Sequence, residues 1–189
     1  IRRCGDYFAL CTPGSSYAFR VTETGHLEHL YYGPSLGWTP ETPEADITAD
    51  CGIMVQRRVF EAGNAIAYDP EHKHLNLEDF RLEFSARGKG DIREPFVSVV
   101  HADGSSTSDF LFAEAEITPG VLPLEGLPGS WGSEADTLTL TLRDRQYDLI
   151  LRLRYTVWQD CDAICRSSVL MNDSDETVVL ERLLSSQLD

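Results

Sequence analysis

Long apolar runs and basic side chains are both scarce in this 189-residue sequence. No stretch of about 18 consecutive apolar residues is present, which is the length that a transmembrane helix needs. Lys and Arg number 16 against 31 Asp and Glu, so the formal net charge is -15 at pH 7. Because binding to phosphates requires a basic face, we expect no nucleic-acid partner, and the missing apolar run predicts no membrane partner. Hydrophobic residues nevertheless make up 42% of the chain, which excludes general disorder and fits a globular unit of about one domain.

The cysteines are few, odd in number and irregularly spaced, which argues against a disulfide framework. On one strand, Cys161 and Cys165 would lie about 13 Å apart, beyond the roughly 7 Å between Cα atoms that a disulfide allows. We therefore expect five reduced and mostly buried thiols. The first thirty residues also contain no secretory apolar segment, and together these features predict a cytoplasmic protein.

Amphipathic helical stripes are missing as well, whereas alternating apolar residues occur along much of the chain. Residues 17–21 and 27–32 flank a turn and predict a hairpin. Residues 147–157 predict a long half-buried strand, with Arg152, Arg154 and Thr156 on its solvent face. Further strands are predicted at 96–101 and 138–142, and a last hairpin is predicted at 164–171 and 177–184. The fold class that follows is all-β, an antiparallel β-sandwich of two packed sheets.

Two regions do not follow the alternation. Residues 33–77 form a long connection rich in Pro, Gly, Thr and acids, and residues 120–131 are dense in Pro and Gly. A connection as long as residues 33–77 in a compact domain is usually functional or partly disordered. We expect irregular loops in both places.

Recognisable catalytic and cofactor motifs are absent. There is no Gly-x-Ser-x-Gly nucleophile elbow, and the glycine-rich segment at 88–91 lacks the spacing of a phosphate-binding loop. His72 and His74 could share one face of a strand, but a zinc site would need two more ligands nearby. Asp173 and Asp175 fit a hairpin turn better than a calcium loop. We therefore expect no metal and no cofactor.

The segment around Lys89 predicts a tight and charged structural loop. Gly88 and Gly90 allow positive φ on either side of the lysine. Asp91 and Arg93 lie two residues apart in an extended stretch, so we expect them on one face. In this interpretation Asp91 accepts backbone N–H groups and Arg93 pairs with a carboxylate.

Several short segments, taken in order, carry a family resemblance. They are Leu-Glu-His-Leu-Tyr-Tyr-Gly at 27–33, Gly-Lys-Gly-Asp-Ile-Arg-Glu-Pro at 88–95, Asp-Gly-Ser at 103–105, Gly-Leu-Pro at 126–128, Tyr-Thr-Val at 155–157, Ile-Cys-Arg-Ser at 164–167 and Leu-Ser-Ser-Gln-Leu-Asp at 184–189. The ordered set resembles the N-terminal domain of the α-galactosidases of glycoside hydrolase family 36. Two positions depart from the family pattern, since Ile92 stands where an aromatic residue is usual and Cys165 where Thr is common.

The resemblance implies that residues 1–189 are the first part of an N-terminal β-supersandwich domain. The parent protein would be a retaining α-galactosidase that acts on terminal α-galactosides such as melibiose or raffinose. In the family the two catalytic aspartates belong to a central (β/α)₈ barrel, so no catalytic residue is assigned to this chain. The implied partners are the barrel of the same parent chain, further copies in a homo-oligomer, and galactosides bound by the parent.

The resemblance also implies a place for the irregular 38–74 stretch. In tetrameric family members, loops of this domain reach toward the sugar pocket of a neighbouring subunit. Trp38, Glu61 and Lys73 are the candidate substrate-binding residues at such a rim, with Trp38 expected to be exposed for stacking on a sugar.

Two other functions remain open from the sequence alone. A free-standing carbohydrate-binding module would need an exposed aromatic platform and would bind galactosides by itself. A purely structural assembly domain would instead show an exposed apolar patch or an open sheet edge.

Overall fold

The computed structural model describes residues 1–55, 67–91, 94–124, 126 and 134–187 of the chain. Twelve strands, one α-helix and a short 3₁₀ helix at Leu77–Asp79 make up the described elements. In chain order they are β1 (Arg2–Cys4), β2 (Tyr7–Cys11), β3 (Ser15–Val21), β4 (Leu27–Pro34), α1 (Glu44–Met54), β5 (Ala86–Arg87), β6 (Gly90–Asp91), β7 (Val97–Val100), β8 (Phe110–Pro119), β9 (Ala135–Asp144), β10 (Leu149–Trp158), β11 (Ala163–Asn172) and β12 (Val179–Leu183).

Three four-stranded sheets contain these strands. The first has the order β1-β2-β3-β4 and the second β11-β10-β9-β8, both antiparallel throughout. The third has the order β12-β7-β5-β6, in which the two-residue strand β5 pairs in parallel with both of its neighbours. The predicted all-β, antiparallel fold class is confirmed, and so is the first hairpin, which is β3 with β4.

The main core lies between the inner faces of the sheets. Along β10, alternate side chains enter this core, as the period of two predicted. The core is made of large aliphatic and aromatic residues, which include Phe8, Phe19, Leu27, Phe96, Phe110, Leu138, Leu140, Leu142, Leu151, Leu153 and Tyr155.

The helix α1 corrects the expectation of an irregular connection between residues 33 and 77. It packs on the outer face of the first sheet, where the small side chains of Ala9 and Ala18 leave room for it. Its two buried residues, Ile47 and Cys51, are one turn apart, and so short a stripe gives a weak helical pattern. Residues 56–66 of the predicted connection lie outside the described residues, as does most of the predicted 120–131 loop.

The predicted hairpin between residues 164–171 and 177–184 is wrong in its pairing. Both strands exist, but β12 pairs antiparallel with β7 in the third sheet rather than with β11. Six residues separate β11 from β12, which is enough chain to cross from one sheet to another. Alternation fixes which face of a strand is buried, but it does not fix the strand's neighbour.

Two predictions about exposure also need correction. Thr156, expected on a solvent face of β10, is buried and lies 3.0 Å from the Thr137 hydroxyl, since it packs against a threonine of the adjacent strand. All five cysteines are free, but only Cys4 and Cys51 are buried, while Cys161 and Cys165 are exposed on and beside the turn after β10. Burial, with smaller contributions from Cys4 and Asp50, raises the pKa of Cys51 to about 12.

None of the helices in the described part of the chain is long and apolar enough to cross a membrane.

Candidate functional site

A carboxylate without any access to solvent lies between the first two sheets. Glu83 has 0% of its surface exposed. Its backbone N–H donates to Leu27 O at 2.9 Å, which places it beside the start of β4. The Tyr17 hydroxyl donates to it at 2.6 Å and the Tyr155 hydroxyl at 2.6 Å. His29 Nδ1 lies 2.9 Å away and must carry the proton, because a carboxylate can only accept.

Arg166 provides the counter-charge for this carboxylate. Its Nη2 lies 3.4 Å from Glu83 Oε2, and its guanidinium stacks 4.9 Å from the centre of the Tyr155 ring. Burial acts to raise the pKa of Glu83, but the His29 hydrogen bond and the Arg166 charge outweigh it, so that pKa lies below its usual value. Burial and the Glu83 charge raise the pKa of both Tyr17 and Tyr155.

The buried Glu83 network therefore holds an ion and its donors in fixed roles. A general acid or base must reach the proton that it transfers, and Glu83 is sealed from solvent. A partially open cavity of about 320 Å³ lies beside the network, lined by Tyr17, Tyr32 and Arg166 with Ser185 and Ser186. The contacts of Glu83 fit a structural role, because they connect β3, β4, β10 and β11.

A second buried carboxylate, Asp109, organises the loop that the sequence singled out at residues 88–93. His26 Nε2 lies 3.0 Å from Asp109 Oδ1, and the Tyr68 hydroxyl donates to Oδ2 at 2.8 Å. Lys89 Nζ lies 4.0 Å from the same Oδ2 and 4.6 Å from the centre of the Tyr68 ring. Burial acts to raise the pKa of Asp109, but the His26 and Tyr68 hydrogen bonds lower it further than burial raises it.

The predicted structural loop itself is a tight turn. Gly88 has a φ of 78°, and Ala86 and Lys89 exchange both backbone hydrogen bonds across it, at 3.0 and 2.9 Å. Gly90 and Asp91 form β6, with Asp91 opposite Arg87. Arg93 lies outside the described residues, so the roles expected for Asp91 and Arg93 stay predictions.

The three predicted rim residues have different surroundings. Trp38 is only 8% exposed, and its indole N–H donates to Asp50 Oδ2 at 2.9 Å within the cluster under α1. The exposed stacking face expected for Trp38 is therefore not present in this chain, because α1 covers the ring. Trp38 does line an open depression of about 430 Å³, together with Arg2, Asp136 and Gln159.

Lys73 is exposed between His72 and His74, whereas Glu61 lies outside the described residues. His74 Nε2 lies 2.8 Å from Glu23 in the turn after β3, whereas Trp38 shares its depression with Thr12 in the turn before β3. The seven residues of β3 separate these two turns by about 20 Å, so one chain does not bring Trp38 and Lys73 together.

The pair that might have bound a metal is held by carboxylates instead. His72 Nδ1 lies 2.9 Å from Asp69, and its ring centre is 6.4 Å from that of His74. Within the described ranges no three His, Cys, Asp or Glu side chains are grouped to hold an ion.

The residues of the Glu83 network were not identified from the sequence. The local pattern is misleading here, because Glu83 stands between Leu82 and Phe84, and alternation would place it on the opposite face from these two apolar residues and so expose it. The partners of Glu83 lie 54 to 83 residues away along the chain, so no local spacing could reveal them.

Comparison with known proteins gives a consistent result. Residues 25–189 match the family described as glycosyl hydrolase family 36 N-terminal domain. The chain is 32% identical to the probable α-galactosidase G of Emericella nidulans, over 98% of this chain and 23% of that protein. It is 28% identical to the α-galactosidase AgaA of Geobacillus stearothermophilus, over 96% of this chain and 24% of that protein.

Solved structures agree with the sequence matches. The crystal structure of the Lactobacillus brevis α-galactosidase superposes with a TM-score of 0.82 at 28% identity, over 100% of this chain and 24% of that one. A variant of the Geobacillus stearothermophilus enzyme in complex with raffinose superposes with a TM-score of 0.81 at 26% identity, over 95% and 24%. The chain thus spans about a quarter of the length of these relatives, at nearly full coverage of its own residues. The resemblance inferred from the short segments is confirmed, and the chain belongs to the N-terminal domain family of glycosyl hydrolase family 36.

Proposed function

We propose that the protein containing this chain is a retaining α-galactosidase that hydrolyses terminal α-galactosides such as melibiose or raffinose, and that residues 1–189 are the first part of its N-terminal β-supersandwich domain. The observation that carries the proposal is the match of nearly the whole chain to one quarter of several α-galactosidases. The buried Glu83 network supports a non-catalytic role for this part, because its carboxylate is sealed from any substrate.

The test is an activity assay on the complete gene product that contains this chain. It should release galactose from raffinose and from a nitrophenyl α-galactoside, and the first product seen by NMR should be the α-anomer, as retention requires. The 189-residue chain assayed alone should release none. Failure of the complete product to cleave any α-galactoside would overturn the proposal.

For the chain itself we propose packing against the catalytic barrel of the parent and support of a homo-oligomer. The supporting feature is an apolar surface on and after β12, where Val179, Leu180 and Leu184 are exposed. In the described part of the chain, β12 has a strand neighbour on one side, β7. An apolar open edge of this kind is expected to be covered in a larger assembly.

A free-standing carbohydrate-binding module is the alternative. It requires an aromatic platform. The side chain that comes nearest to providing one is Tyr32, which is 59% exposed beside the 320 Å³ cavity. Galactose or melibiose binding by the isolated chain that vanishes in Tyr32→Ala would favour this function over a purely structural one.

We also propose that Glu61 and Lys73 belong to the rim of a neighbouring subunit's sugar pocket, and that Trp38, which α1 covers, belongs to a separate part of that rim through the depression that it lines rather than by stacking on a sugar. Lys73 is the residue to test, since Trp38→Ala would also open a cavity under α1. Lys73→Ala in the complete protein should raise KM for raffinose with kcat and oligomeric state unchanged. An unchanged KM would remove Lys73 from the rim. The five free cysteines support a cytoplasmic location for the protein.

A further inference from the structure

The segment from Tyr68 to Leu75 is a closed loop that carries the exposed Lys73, and we call it the 68–75 loop. The Tyr68 N–H donates to Leu75 O at 2.7 Å, and the Leu75 N–H donates to His72 O at 3.0 Å. Both bonds are internal to the loop. In the described part of the chain, no backbone hydrogen bond joins the loop to a strand or a helix. The position of the loop on the sandwich therefore depends on its side chains.

Tyr68 provides the central attachment of the 68–75 loop. Its hydroxyl donates to the buried Asp109 Oδ2 at 2.8 Å, and its ring lies edge-on to His26 with centroids 4.9 Å apart. We propose that Asp109 and Tyr68 are positioning residues for substrate binding, which hold the 68–75 loop so that Lys73 meets a galactoside in a fixed place. This inference rests on the proposed function, in which Lys73 belongs to the rim of a neighbouring subunit's sugar pocket.

The acceptor for the Tyr68 hydroxyl is itself fixed by the sandwich. Asp109 is 8% exposed, and its own N–H donates to Asp144 Oδ2 at 2.8 Å at the end of β9. His26, which directly precedes β4, lies 3.0 Å from Asp109 Oδ1 through its Nε2. The other ring nitrogen of His26 lies 2.8 Å from the Thr24 hydroxyl. Because two parts of the sandwich hold Asp109, its bond to Tyr68 transfers a defined position to the loop.

The neighbours of Lys73 in the 68–75 loop are both held by carboxylates. Asp69 accepts from the His72 N–H at 2.7 Å and lies 2.9 Å from His72 Nδ1. His74 Nε2 lies 2.8 Å from Glu23 Oε1 in the turn after β3. The backbone that carries Lys73 is thus restrained on both sides.

Lys73 itself is left without a partner. Its side chain is exposed and makes no hydrogen bond or ion pair with any residue that the structure describes. The ammonium group has three donors and no acceptor, and sugar hydroxyl oxygens can accept from it. An unused donor between two restrained neighbours is available to a ligand from outside the chain.

Fixing the loop before the substrate arrives favours binding, because less conformational entropy is lost when Lys73 engages a sugar. Tyr68→Phe removes the hydroxyl that reaches Asp109 but keeps the ring beside His26. The 68–75 loop should then occupy more positions. An interaction that is equal in the ground state and the transition state affects KM and leaves kcat unchanged. A role in stability alone would lower the free energy of unfolding without changing KM.

The experiment is steady-state kinetics of the complete protein that contains this chain, with raffinose as the substrate. Tyr68→Phe should raise KM about three- to tenfold, as the ordering of one or two side chains implies, with kcat unchanged. The double variant Tyr68→Phe with Lys73→Ala should have the KM of Lys73→Ala alone, since the position of an absent ammonium has no effect. Tyr147→Phe is the matched control, because it removes a hydroxyl that donates to Asp103 at 3.0 Å outside the loop. It should leave KM unchanged.

Hydrogen exchange of the complete protein, followed by mass spectrometry, measures the positioning directly. Tyr68→Phe should speed exchange of the amides of the 68–75 loop and leave those of β10 unchanged. Tyr147→Phe should alter neither.

The inference would be overturned by an unchanged KM in Tyr68→Phe, by a KM that Lys73→Ala leaves unchanged, or by effects of the two substitutions that multiply in the double variant. Unchanged exchange in the 68–75 loop would overturn it as well. If the complete protein cleaves neither raffinose nor a nitrophenyl α-galactoside, the proposed function fails. The exchange rates would then still decide whether Tyr68 holds the loop, so the two failures are distinguishable.

Discussion

At the scale of single residues, the carboxylate of Glu83 is an ion without contact to water. Its partners come from β3, β4, β10 and β11, so the first and second sheets meet at one charge. Burying an ion is costly unless its lone pairs are satisfied, and here donors surround it. The network is thus a point where removal of one group leaves others uncompensated.

Replacing Glu83→Gln should destabilise the protein by about 3–5 kcal/mol, since the guanidinium of Arg166 would lose its buried counter-ion. The measurement is the free energy of unfolding from urea denaturation at neutral pH. Tyr155→Phe should cost less, about 1–3 kcal/mol, because one neutral donor is removed. Glu116→Gln on exposed β8 should lie within about 0.5 kcal/mol of the wild type. An unchanged midpoint for Glu83→Gln would show that the charge has no structural role.

Acid should destabilise the protein through Glu83 and Asp109. The pKa of each lies below its usual value in the folded protein. The unfolded chain, with carboxyl pKa values of about 4, then binds protons first as the pH falls. The stability from both carboxylates is therefore present above about pH 4 and is lost as the pH falls toward their folded pKa values.

Unfolding free energies measured between about pH 7 and pH 3 test this expectation. Asp109→Asn should be less stable than the wild type at pH 7 and should lose less stability on acidification, because one of the linked protons is gone. Parallel curves for the two proteins would exclude Asp109 as a source of the pH dependence.

The sequence predicts the side of a strand for these residues but not their partners. Alternation along 147–157 correctly places Tyr155 toward the core, and the same pattern places Tyr17 there. What their hydroxyls bind depends on Glu83, which is 66 and 72 residues away. Polar partners so distant in sequence become visible only when the sheets are packed.

At the scale of elements, strands are easier to predict than their pairing. The 147–157 pattern corresponds to β10, and the 164–171 and 177–184 patterns to β11 and β12, yet β12 lies beside β7. Nothing in the local sequence distinguishes a six-residue hairpin loop from a crossover of the same length. The sequence does not predict the helix α1 for a related reason, since its burial depends on Ala9 and Ala18 in distant strands. Pro43 and the acidic first turn of Glu44 and Asp46 were the available helix-start signals.

The turn between β5 and β6 gives a prediction at this scale. Gly88→Ala should destabilise the protein by about 2 kcal/mol or more, because a left-handed φ of 78° already costs a Cβ about 1–2 kcal/mol. The added Cβ would also lie 2.9 Å from Thr107 Oγ1. The measurement is again the free energy of unfolding.

Gly104→Ala is the matched control for Gly88→Ala. Its φ is 85°, but a Cβ there would meet nothing within 4 Å, so it reports the backbone cost alone. The double variant Gly88→Ala with Thr107→Ala should recover the difference between the two glycine variants. Equal losses for Gly88→Ala and Gly104→Ala would show that contact with Thr107 contributes nothing.

At the scale of the whole molecule, the strong negative charge opposes association between copies of the chain, whereas an exposed apolar surface favours it. The net charge of -15 keeps copies of the chain apart at low ionic strength. Val179 and Leu180, which are 57% and 49% exposed on β12, favour association once that repulsion is screened. The composition predicted the repulsion, but the apolar edge required knowledge of which sheet contains β12.

The isolated 189-residue chain should therefore self-associate more strongly as salt rises from about 0.05 M to about 0.5 M, because the Debye length falls well below the size of the molecule. Leu180→Lys should suppress this association without lowering the free energy of unfolding, since the side chain is half exposed and the backbone pairing with Val99 is retained.

Ile53→Lys is the control: Ile53 is 83% exposed but stands alone on α1, so its replacement should leave association unchanged. Sedimentation velocity at several salt concentrations measures the effect. A chain that stays monomeric at every salt concentration, or that associates equally in Leu180→Lys, would mean that β12 is not the adhesive edge, and the proposed docking of the catalytic barrel there would lose its support.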